Sequence, residues 1–297
     1  MYKNGVKKVI LIGGEPTIHP KFIEIVSFLH NLGFKVSLSS NGRKFSEKNF
    51  SQKTADAGIS SVDISIKGCS EEEYIKNTHS TGFFEMVQGF HNLQELGIKV
   101  SVSYVLCDTN KQSIIKFKNC LLENKLDHIS IQLFKPSVEE TKYSGPLIKE
   151  LADMCEFTYE CLKETELSFS FEMSIPLCTL SGVFLEKLIQ EKKIRTCCHI
   201  TKGKGIIFDT NFNIQPCNHF VNYPLNSTAV ETNKIINFWN SNEPIAFRKR
   251  ISTYPSEKCQ NCHLWEKCGG GCYLRWLSMN PKEHISGLKV GKNICQL

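Results

Sequence analysis

Cysteine is the residue type in this sequence best suited to chemistry, and its 14 copies are unevenly distributed. Five lie scattered among apolar neighbours and are predicted to be small buried side chains: Cys69, Cys107, Cys120, Cys155 and Cys161. The other nine lie in the C-terminal part of the chain: Cys178, Cys197, Cys198, Cys217, Cys259, Cys262, Cys268, Cys272 and Cys295. In a reducing compartment, such a cysteine-rich region indicates metal or redox chemistry.

The densest group of cysteines is a CxxCxxxxxCxxxC run from Cys259 to Cys272. Four thiolates at this spacing can converge on a soft metal. The glycines at 269–271, inside the last interval, let the backbone wrap closely and leave room for N–H···S contacts. Zinc and a [4Fe–4S] cluster both accept four thiolates, so the run predicts a metal site without identifying the metal. The remaining C-terminal cysteines supply thiolates for a second site.

The elements that must position these residues alternate between strands and helices. Five apolar runs rich in β-branched residues predict strands: Val9–Ile12, Phe34–Ser39, Val62–Ile66, Ile98–Leu106 and His128–Phe134. Helical stripes lie between them, for example from Phe22 to Leu29 and from Phe83 to Leu93. A helix is also predicted over Leu147–Leu162 and a strand over Ser168–Ile175. This alternation predicts an α/β fold with a parallel sheet, either a barrel or an open sheet.

Glycines and polar residues follow directly after the first three predicted strands, as Gly13-Gly14-Glu15-Pro16, Asn41-Gly42 and Lys67-Gly68. Sites in such folds lie at the carboxyl ends of the strands. Glycine there lets the backbone approach a ligand, and Glu15 offers a carboxylate to a cationic group. The first of these segments is equally compatible with a plain tight turn.

The composition is that of a folded globular protein. The 297 residues are 41% hydrophobic and 22% charged, and 36 Lys and Arg against 30 Asp and Glu give a net charge of +6. This mild surplus gives no argument for nucleic-acid binding. No window approaches the roughly 20 apolar residues of a membrane span, and the N-terminal apolar core at 9–12 is too short for a signal peptide. A cytoplasmic protein without membrane contact is expected.

Taken together, these motifs resemble the radical S-adenosylmethionine (SAM) enzymes that carry a C-terminal SPASM domain. GGEPTIHPKF at 13–22 is similar to that family's methionine-binding turn, and residues 78–102 are similar to its middle region. CQNCHLWEKCGGGC at 259–272, followed by Cys295, is similar to the SPASM run. The resemblance covers nearly the whole chain. It implies an incomplete (β/α)6 partial TIM-like barrel over residues 1–170 and a SPASM domain with two auxiliary cluster sites over residues 171–297.

The resemblance also implies roles for individual residues. Those assigned to SAM are Gly13, Gly14 and Glu15 around its amino group, with Asn41, Ser65 and Ser103 lining the rest of the pocket. One auxiliary [4Fe–4S] cluster takes Cys259, Cys262, Cys268 and Cys295. The other takes Cys178, Cys198, Cys217 and Cys272, with Cys197 as an alternative to Cys198. Phe212 stands where the family usually has a glycine, which weakens the assignment of that turn.

The sequence departs from the family at its N-terminal end. Radical SAM enzymes hold their catalytic cluster on a CxxxCxxC loop, some tens of residues before GGEP. Only twelve residues precede Gly13, none is cysteine, and CxxxCxxC occurs nowhere in the chain. Five strand–helix units are predicted where the family has six. The expectation is an N-terminally truncated form in which Val9–Ile12 is a bare edge strand and which cannot make the 5′-deoxyadenosyl radical.

Two functions follow from these expectations. By resemblance, the first is modification of a peptide or protein, favouring thioether or carbon–carbon crosslinking of a ribosomally made peptide over a sulfatase-maturing role. It implies an electron donor such as a flavodoxin or ferredoxin. The second is a non-catalytic, metal- or cluster-stabilised module that binds a peptide. No catalytic residue is assigned, and His19, His79, His199 and His219 are expected to be structural.

Overall fold

The computed structural model describes most of the chain. The described residues are 1–106, 111–126, 128–136, 145–195, 198, 203, 205–220, 223–225 and 232–279. Three cysteines of the sequence analysis, Cys107, Cys197 and Cys295, therefore lie outside the described residues, and so does His199. The predictions made for them stay predictions.

A seven-stranded sheet organises the fold, with its strands in chain order from one edge to the other. The strands are β1 (Lys8–Leu11), β2 (Lys35–Ser40), β3 (Ile59–Ser65), β4 (Lys99–Leu106), β5 (His128–Leu133), β6 (Ser168–Glu172) and β7 (Ile194–Arg195). Neighbours from β1 to β4 pair in parallel, and so do β6 and β7. All five strands predicted up to residue 134 are present, with each end within three residues of its predicted position. The sheet also extends further, because β6 and the two-residue β7 join it.

Helices connect the strands and continue into the C-terminal region. They are α1 (Phe22–Asn31), α2 (Lys48–Asp56), α3 (Glu71–Thr78), α4 (Phe83–Glu95), α5 (Lys111–Glu123), α6 (Ile148–Leu162), α7 (Gly182–Gln190), α8 (Thr232–Trp239), α9 (Asn242–Ile251), α10 (Trp265–Cys268) and α11 (Tyr273–Ser278). A small antiparallel hairpin pairs β8 (Ile207–Phe208) with β9 (Ile214–Gln215). No helix in the described ranges is long and apolar enough to span a membrane.

The chain divides into two compact units. The first comprises residues 1–105, 109–131 and 157–169, and the second comprises residues 106–108, 132–156 and 170–297. The first unit therefore contains β1 to β3 with α1 to α5, and the second contains all the cysteines from Cys178 onward that the structure describes.

In the first unit, β2, β3 and β4 present two unlike faces because their side chains alternate. One face is apolar and at most 8% exposed: Val36, Leu38, Val62, Ile64, Val100 and Val102. Helix α4 covers this face, since Met86 of α4 and Ile64 of β3 both approach Gly42. The opposite face carries mainly hydroxyls and a carboxylate: Ser37, Ser39, Ser61, Asp63, Ser65, Ser101 and Ser103. The fold thus leaves one polar face available beside the strand ends.

Strand β1 is the edge of the sheet in the described part of the chain, where it pairs only with β2. Its residue Ile10 is 55% exposed, and Ile12 directly after it is 42% exposed. On α1, Phe22 and Val26 are buried, whereas Phe28 is 63% exposed. In these residues β1 is thus an edge strand with exposed apolar side chains, while the missing first unit that the sequence analysis linked to it stays a prediction.

Two glycines allow α4 to pack against the turn after β2. A Cβ on Gly89 of α4 would lie 2.2 Å from the carbonyl oxygen of Gly42. Three residues further along the helix, the Asn92 side-chain amide donates to the carbonyl oxygens of Phe45, at 2.8 Å, and Ser46, at 3.0 Å. This close approach fixes the turn that begins at the carboxyl end of β2.

The variant Gly89→Ala tests this contact. Alanine in a helix interior normally stabilises by about 1 kcal/mol relative to glycine. Here we expect the opposite sign, a loss of about 1–3 kcal/mol, because the new methyl meets backbone rather than a flexible side chain. Urea unfolding measures the free energy. Gly205→Ala is the control, since its Cβ meets nothing within 4 Å. A stabilised Gly89→Ala protein would show that the helix does not pack this closely.

Candidate cofactor and metal sites

The carboxylate of Glu15 is the best-defined feature at the strand ends. Gly13 and Gly14 take positive φ angles of 96° and 46°, and Glu15 then caps a short 3₁₀ turn at Pro16–Ile18. Its Oε1 accepts hydrogen bonds from the Thr17 amide at 3.1 Å, the Thr17 hydroxyl at 2.6 Å and the Ser40 hydroxyl at 2.9 Å. Its Oε2 accepts one bond, from the Asn41 amide at 2.7 Å. The turn after β1 is therefore tied to the end of β2.

This geometry leaves Glu15 with remaining hydrogen-bonding capacity. A carboxylate has about four lone-pair sites, about two on each oxygen. Oε1 already accepts three hydrogen bonds, so it has no site left for a ligand. Oε2 keeps a site for one more donor, and the side chain is half-buried rather than enclosed. A fixed, partly exposed carboxylate oxygen of this kind fits an ammonium group.

Gly13 and Gly14, directly before Glu15, allow the left-handed turn. A Cβ on either glycine would meet nothing within 4 Å, so close packing is not what requires glycine there.

The three other residues assigned to SAM by resemblance lie at the same strand ends. Asn41 is in direct contact with Glu15 through its amide, and its side-chain Oδ1 accepts from the Arg43 amide at 3.0 Å. Ser65 and Ser103 lie opposite each other in the register of β3 and β4. Ser103 is buried and Ser65 half-buried. The structure therefore brings the six residues together as two groups, one around Glu15 and one on the polar face.

The sequence analysis missed the hydrogen bonds that hold this polar face together. The hydroxyls of Ser37 and Ser61 lie 2.8 Å apart, and the Ser101 hydroxyl donates to Oδ1 of Asp63 at 2.7 Å. The signal was present in the alternating stretches 61–65 and 99–103, which read SVDIS and KVSVS. The alternation predicts that the apolar side chains of these stretches lie in the core, but no role was predicted for the polar side chains between them.

Three cysteines predicted to bind one cluster lie near one another in the second unit, since Cys198 contributes to the pKa of both Cys217 and Cys272. The pKa of Cys217 is raised to about 11, chiefly by burial and to a smaller extent by the nearby Cys272 and Cys198. Burial also raises the pKa of Cys272, with a smaller increase from Cys198. The ammonium of Lys135 lowers the pKa of both Cys217 and Cys272. A buried thiol group beside a cation is a suitable environment for thiolate ligands.

The cysteines predicted to bind the other cluster, Cys259, Cys262 and Cys268, lie on short turns. The Cys262 amide donates to the Cys259 carbonyl at 3.1 Å, and the Cys268 amide donates to the Leu264 carbonyl at 2.7 Å. The Leu177 amide donates to Sγ of Cys268 at 3.3 Å. This contact brings the backbone next to Cys178 against Cys268, although the sequence analysis assigned those two cysteines to different clusters.

Among the described residues, no three His, Cys, Asp or Glu side chains stand as close together as the ligands of one metal ion do. A four-iron cluster separates its four thiolates more widely than a single tetrahedral zinc does, because each thiolate binds a different iron.

A buried arginine anchors the cysteine run to the strand ends of the second unit. Arg275 is 0% exposed, and its Nη2 donates to the Phe134 carbonyl at 2.7 Å and to the Ser174 hydroxyl at 3.4 Å. Its amide donates to the Cys272 carbonyl at 3.1 Å, while the Cys272 amide donates to the Ser174 carbonyl at 2.8 Å. Cys272 is thereby held from both sides.

Glycine is required beside this anchor. A Cβ on Gly271 would lie 2.9 Å from the Ser174 carbonyl oxygen, and one on Gly270 would lie 2.5 Å from Cδ of Pro255. The Trp276 indole donates to the Gly270 carbonyl at 2.9 Å. Gly270 and Gly271 therefore allow close backbone packing, as expected from the sequence, whereas a Cβ on Gly269 would meet nothing within 4 Å. Sequence reasoning missed Arg275 and Ser174, whose partners are distant in sequence.

The turn before Cys217 forms although it lacks the usual glycine. Phe212 adopts a positive φ of 62°, and its amide donates to the Asp209 carbonyl at 3.1 Å. Asp209 also accepts bonds from the Asn211 and Asn213 amides, each at 2.8 Å. This carboxylate holds the β8–β9 hairpin, so the departure at Phe212 does not remove the turn.

The variant Arg275→Met tests the anchor. Loss of the guanidinium leaves buried oxygens of Phe134 and Ser174 without this donor, which costs about 1.5–3 kcal/mol for hydrogen bonds to a charged group. We expect a urea midpoint lowered accordingly. The control Lys249→Met removes an exposed cation of α9 and is expected to change stability by less than about 0.5 kcal/mol. Equal effects in the two variants would contradict an anchoring role for Arg275.

Comparison with known proteins finds a family model that matches part of the chain. The family model described as the Radical SAM superfamily matches residues 1–121. A probable GTP 3′,8-cyclase of Saccharolobus islandicus is 31% identical over 115 residues, which is 38% of this chain and 37% of that protein. The GTP 3′,8-cyclase of Mannheimia succiniciproducens is 31% identical over 135 residues, 44% of this chain and 40% of that protein. These alignments span less than half of the relatives' length.

Two solved structures resemble almost the whole chain. The enzyme anSMEcpe with bound AdoMet and a Kp18Cys peptide has a TM-score of 0.64 at 17% identity, covering 94% of this chain and 83% of its own. SuiB of Streptococcus suis bound to S-adenosylmethionine has a TM-score of 0.66 at 18% identity, covering 98% of this chain and 66% of its own. At such identities the likeness concerns the fold, and it confirms the predicted partial barrel. The Radical SAM superfamily model thus matches residues 1–121, within a chain that shares the fold of anSMEcpe and SuiB.

Proposed function

We propose that this chain is part of a radical SAM/SPASM enzyme that modifies a peptide or protein, most simply in the maturation of a ribosomally made peptide. Two structural relatives support a peptide substrate, since anSMEcpe was solved with a peptide and SuiB with its precursor peptide SuiA. The single observation that carries the proposal is the grouping of Cys198, Cys217 and Cys272 beside Lys135. In this proposal residues 1–170 form the barrel and residues 171–297 the SPASM domain.

The residues at the strand ends fit the amino-acid part of SAM. Oε2 of Glu15 accepts the ammonium, and the Thr17 and Ser40 hydroxyls hold the carboxylate in place. Asn41, Ser65 and Ser103 offer polar groups along the neighbouring strand ends. When bound to a reduced catalytic cluster, SAM supplies a 5′-deoxyadenosyl radical, and the protein's own part is to bind and orient it.

The C-terminal cysteines fit two auxiliary [4Fe–4S] clusters. Cys198, Cys217 and Cys272 would hold one, with Cys178 proposed as the fourth ligand, and the other would take Cys259, Cys262, Cys268 and Cys295. Such clusters supply electron transfer or substrate binding. The proposal includes a flavodoxin or ferredoxin as electron donor and a cytoplasmic location without nucleic-acid or membrane contact.

The 297 residues contain no CxxxCxxC segment. These residues therefore do not supply the three thiolates that the family's loop gives to the catalytic cluster. Radical formation would depend on cluster ligands outside these 297 residues. The same observation favours the second candidate, a non-catalytic module that binds a peptide and is stabilised by zinc or clusters. The two candidates differ in their metal content and in whether Glu15 binds SAM.

The metal content is measured on anaerobically reconstituted protein. Two auxiliary clusters predict about eight iron and eight sulfide per chain, and Cys272→Ala is expected to lower both to about four. Cys161→Ala is the matched control, since Cys161 lies outside both proposed sites. Zinc without sulfide would contradict the cluster assignment and leave the binding module. About twelve iron would show a third cluster whose ligands differ from the family's loop.

The role of Glu15 is measured as SAM affinity by calorimetry on the same reconstituted protein. Glu15→Gln removes a charge-assisted hydrogen bond to an ammonium, and we expect binding about tenfold weaker or more. Glu24→Gln, which alters an exposed carboxylate of α1, is expected to bind like the unaltered protein. A thermal melt of each variant separates lost binding from lost folding. Unchanged affinity in a folded Glu15→Gln protein would rule out this site.

A further inference from the structure

A backbone amide outside the cysteine run points at one of its sulfurs. The Leu177 amide donates to Sγ of Cys268 at 3.3 Å. Leu177 is only 1% exposed, so this hydrogen bond starts from a residue that water hardly reaches. Cys268 is one of the four cysteines proposed to bind the second cluster. The contact therefore links a residue 91 positions earlier in the chain to a proposed iron ligand.

Two hydrogen bonds hold the segment 174–177 along the cysteine run. At one end the Cys272 amide donates to the Ser174 carbonyl at 2.8 Å, and at the other the Leu177 amide donates to Cys268. Between them Gly271 packs so closely that a Cβ on it would lie 2.9 Å from the Ser174 carbonyl oxygen. The position of the donor relative to the sulfur is therefore set by backbone contacts.

The local conformation makes the Leu177 amide available to an acceptor outside its own turn. Leu177 is the first residue of a 3₁₀ turn, Leu177–Thr179, and Pro176 precedes it with φ −60° and ψ 136°. The first amides of a helical turn have no acceptor within that turn. The Leu177 carbonyl, in contrast, accepts from the Leu180 amide at 3.2 Å. Donation to Cys268 thus uses an amide that the turn itself does not need.

We propose that Leu177 is a positioning residue for the cluster bound through Cys268, and that its amide raises the reduction potential of that cluster. The inference rests on the proposed function, since it requires a [4Fe–4S] cluster at Cys259, Cys262, Cys268 and Cys295. It goes beyond that function because it assigns an electronic role to a backbone group that is not a ligand.

The physical reason is the change in charge on reduction. The cluster and its thiolates gain one electron from the donor and one unit of negative charge, while no bond breaks and no proton moves. An N–H group aimed at a thiolate stabilises the more negative state more strongly. Its effect is larger where water is excluded, because the local dielectric constant is low. The Leu177 amide therefore favours the reduced state, which eases electron uptake from a flavodoxin or ferredoxin.

The variant Leu177→Pro removes the donor and keeps the backbone path. Proline is accommodated at the first residue of a helical turn, and the ψ of 136° at Pro176 is the conformation that a residue before proline adopts. Leu177→Ala is the matched control, because it also loses the buried side chain but retains the amide. Thermal melts of both variants measure what the lost side chain costs in folding.

Reductive titration of the anaerobically reconstituted full chain, followed by optical and EPR spectroscopy, measures the potentials. In Leu177→Pro we expect one of the two cluster transitions to move to a more negative potential. A tenfold change in the reduction equilibrium corresponds to about 59 mV for one electron. The other transition serves as an internal reference and stays in place. Leu177→Ala is expected to keep both transitions within a small part of that shift.

A second measurement does not depend on whether Leu177→Pro folds. The otherwise unaltered chain is made with ¹⁵N-labelled leucine, and the reduced clusters are examined by pulsed EPR. A hydrogen bond from Leu177 to Cys268 predicts a weak ¹⁵N coupling to a cluster. The coupling should be absent from labelled Leu177→Ala, because the nitrogen at position 177 then belongs to unlabelled alanine.

Two results would overturn the inference alone: equal potentials in Leu177→Pro and Leu177→Ala at full iron and sulfide content, or no ¹⁵N coupling in the labelled, unaltered chain. Zinc without sulfide in the unaltered chain would overturn both the inference and the proposed function. The iron, zinc and sulfide assay of each sample therefore distinguishes the two failures.

Discussion

The two-residue alternation along β2, β3 and β4 is the constraint on which the rest of the first unit depends. It places Val62 and Ile64 in the buried core while Asp63 and Ser65 point to the other side. A slip of one residue in the strand register would bury the carboxylate and expose the valines. The register that builds the core therefore also determines which polar groups stand at the strand ends, and it places Ser40 and Asn41 where Glu15 can bind them.

The C-terminal region of the chain is organised by a different kind of interaction. Its helices are short, and Cys272 is positioned by a hydrogen bond from its amide to the Ser174 carbonyl, more than 90 residues earlier in the chain. A fully buried guanidinium is tolerated there because carbonyl and hydroxyl oxygens surround its Nη2. In the proposed enzyme, metal binding would add to this framework, since thiolates that are kept close by backbone contacts lose less freedom when they bind a cluster.

The sequence allowed prediction of those features that depend on local pattern. The periodicity of apolar residues predicted the strands of the sheet. The position of Glu15 directly after a strand predicted that this carboxylate lies at the carboxyl ends of the strands. Two-residue β7 was missed because it is too short to show a period. Arg275 and Ser174 were missed because their contacts join distant segments.

The exposed edge of β1 also bears on how the chain behaves at high concentration. In the part of the chain that the structure describes, no strand pairs with the outer edge of β1, so this edge and Ile10 offer a template for another strand, including β1 of a second copy. The edge strand begins with Lys8, which lies opposite Lys35 of β2 and directly after Lys7. These like charges repel a second copy, and dissolved salt screens the repulsion over about 10 Å at 0.1 M. Colloidal stability of the chain is therefore coupled to ionic strength through one short strand.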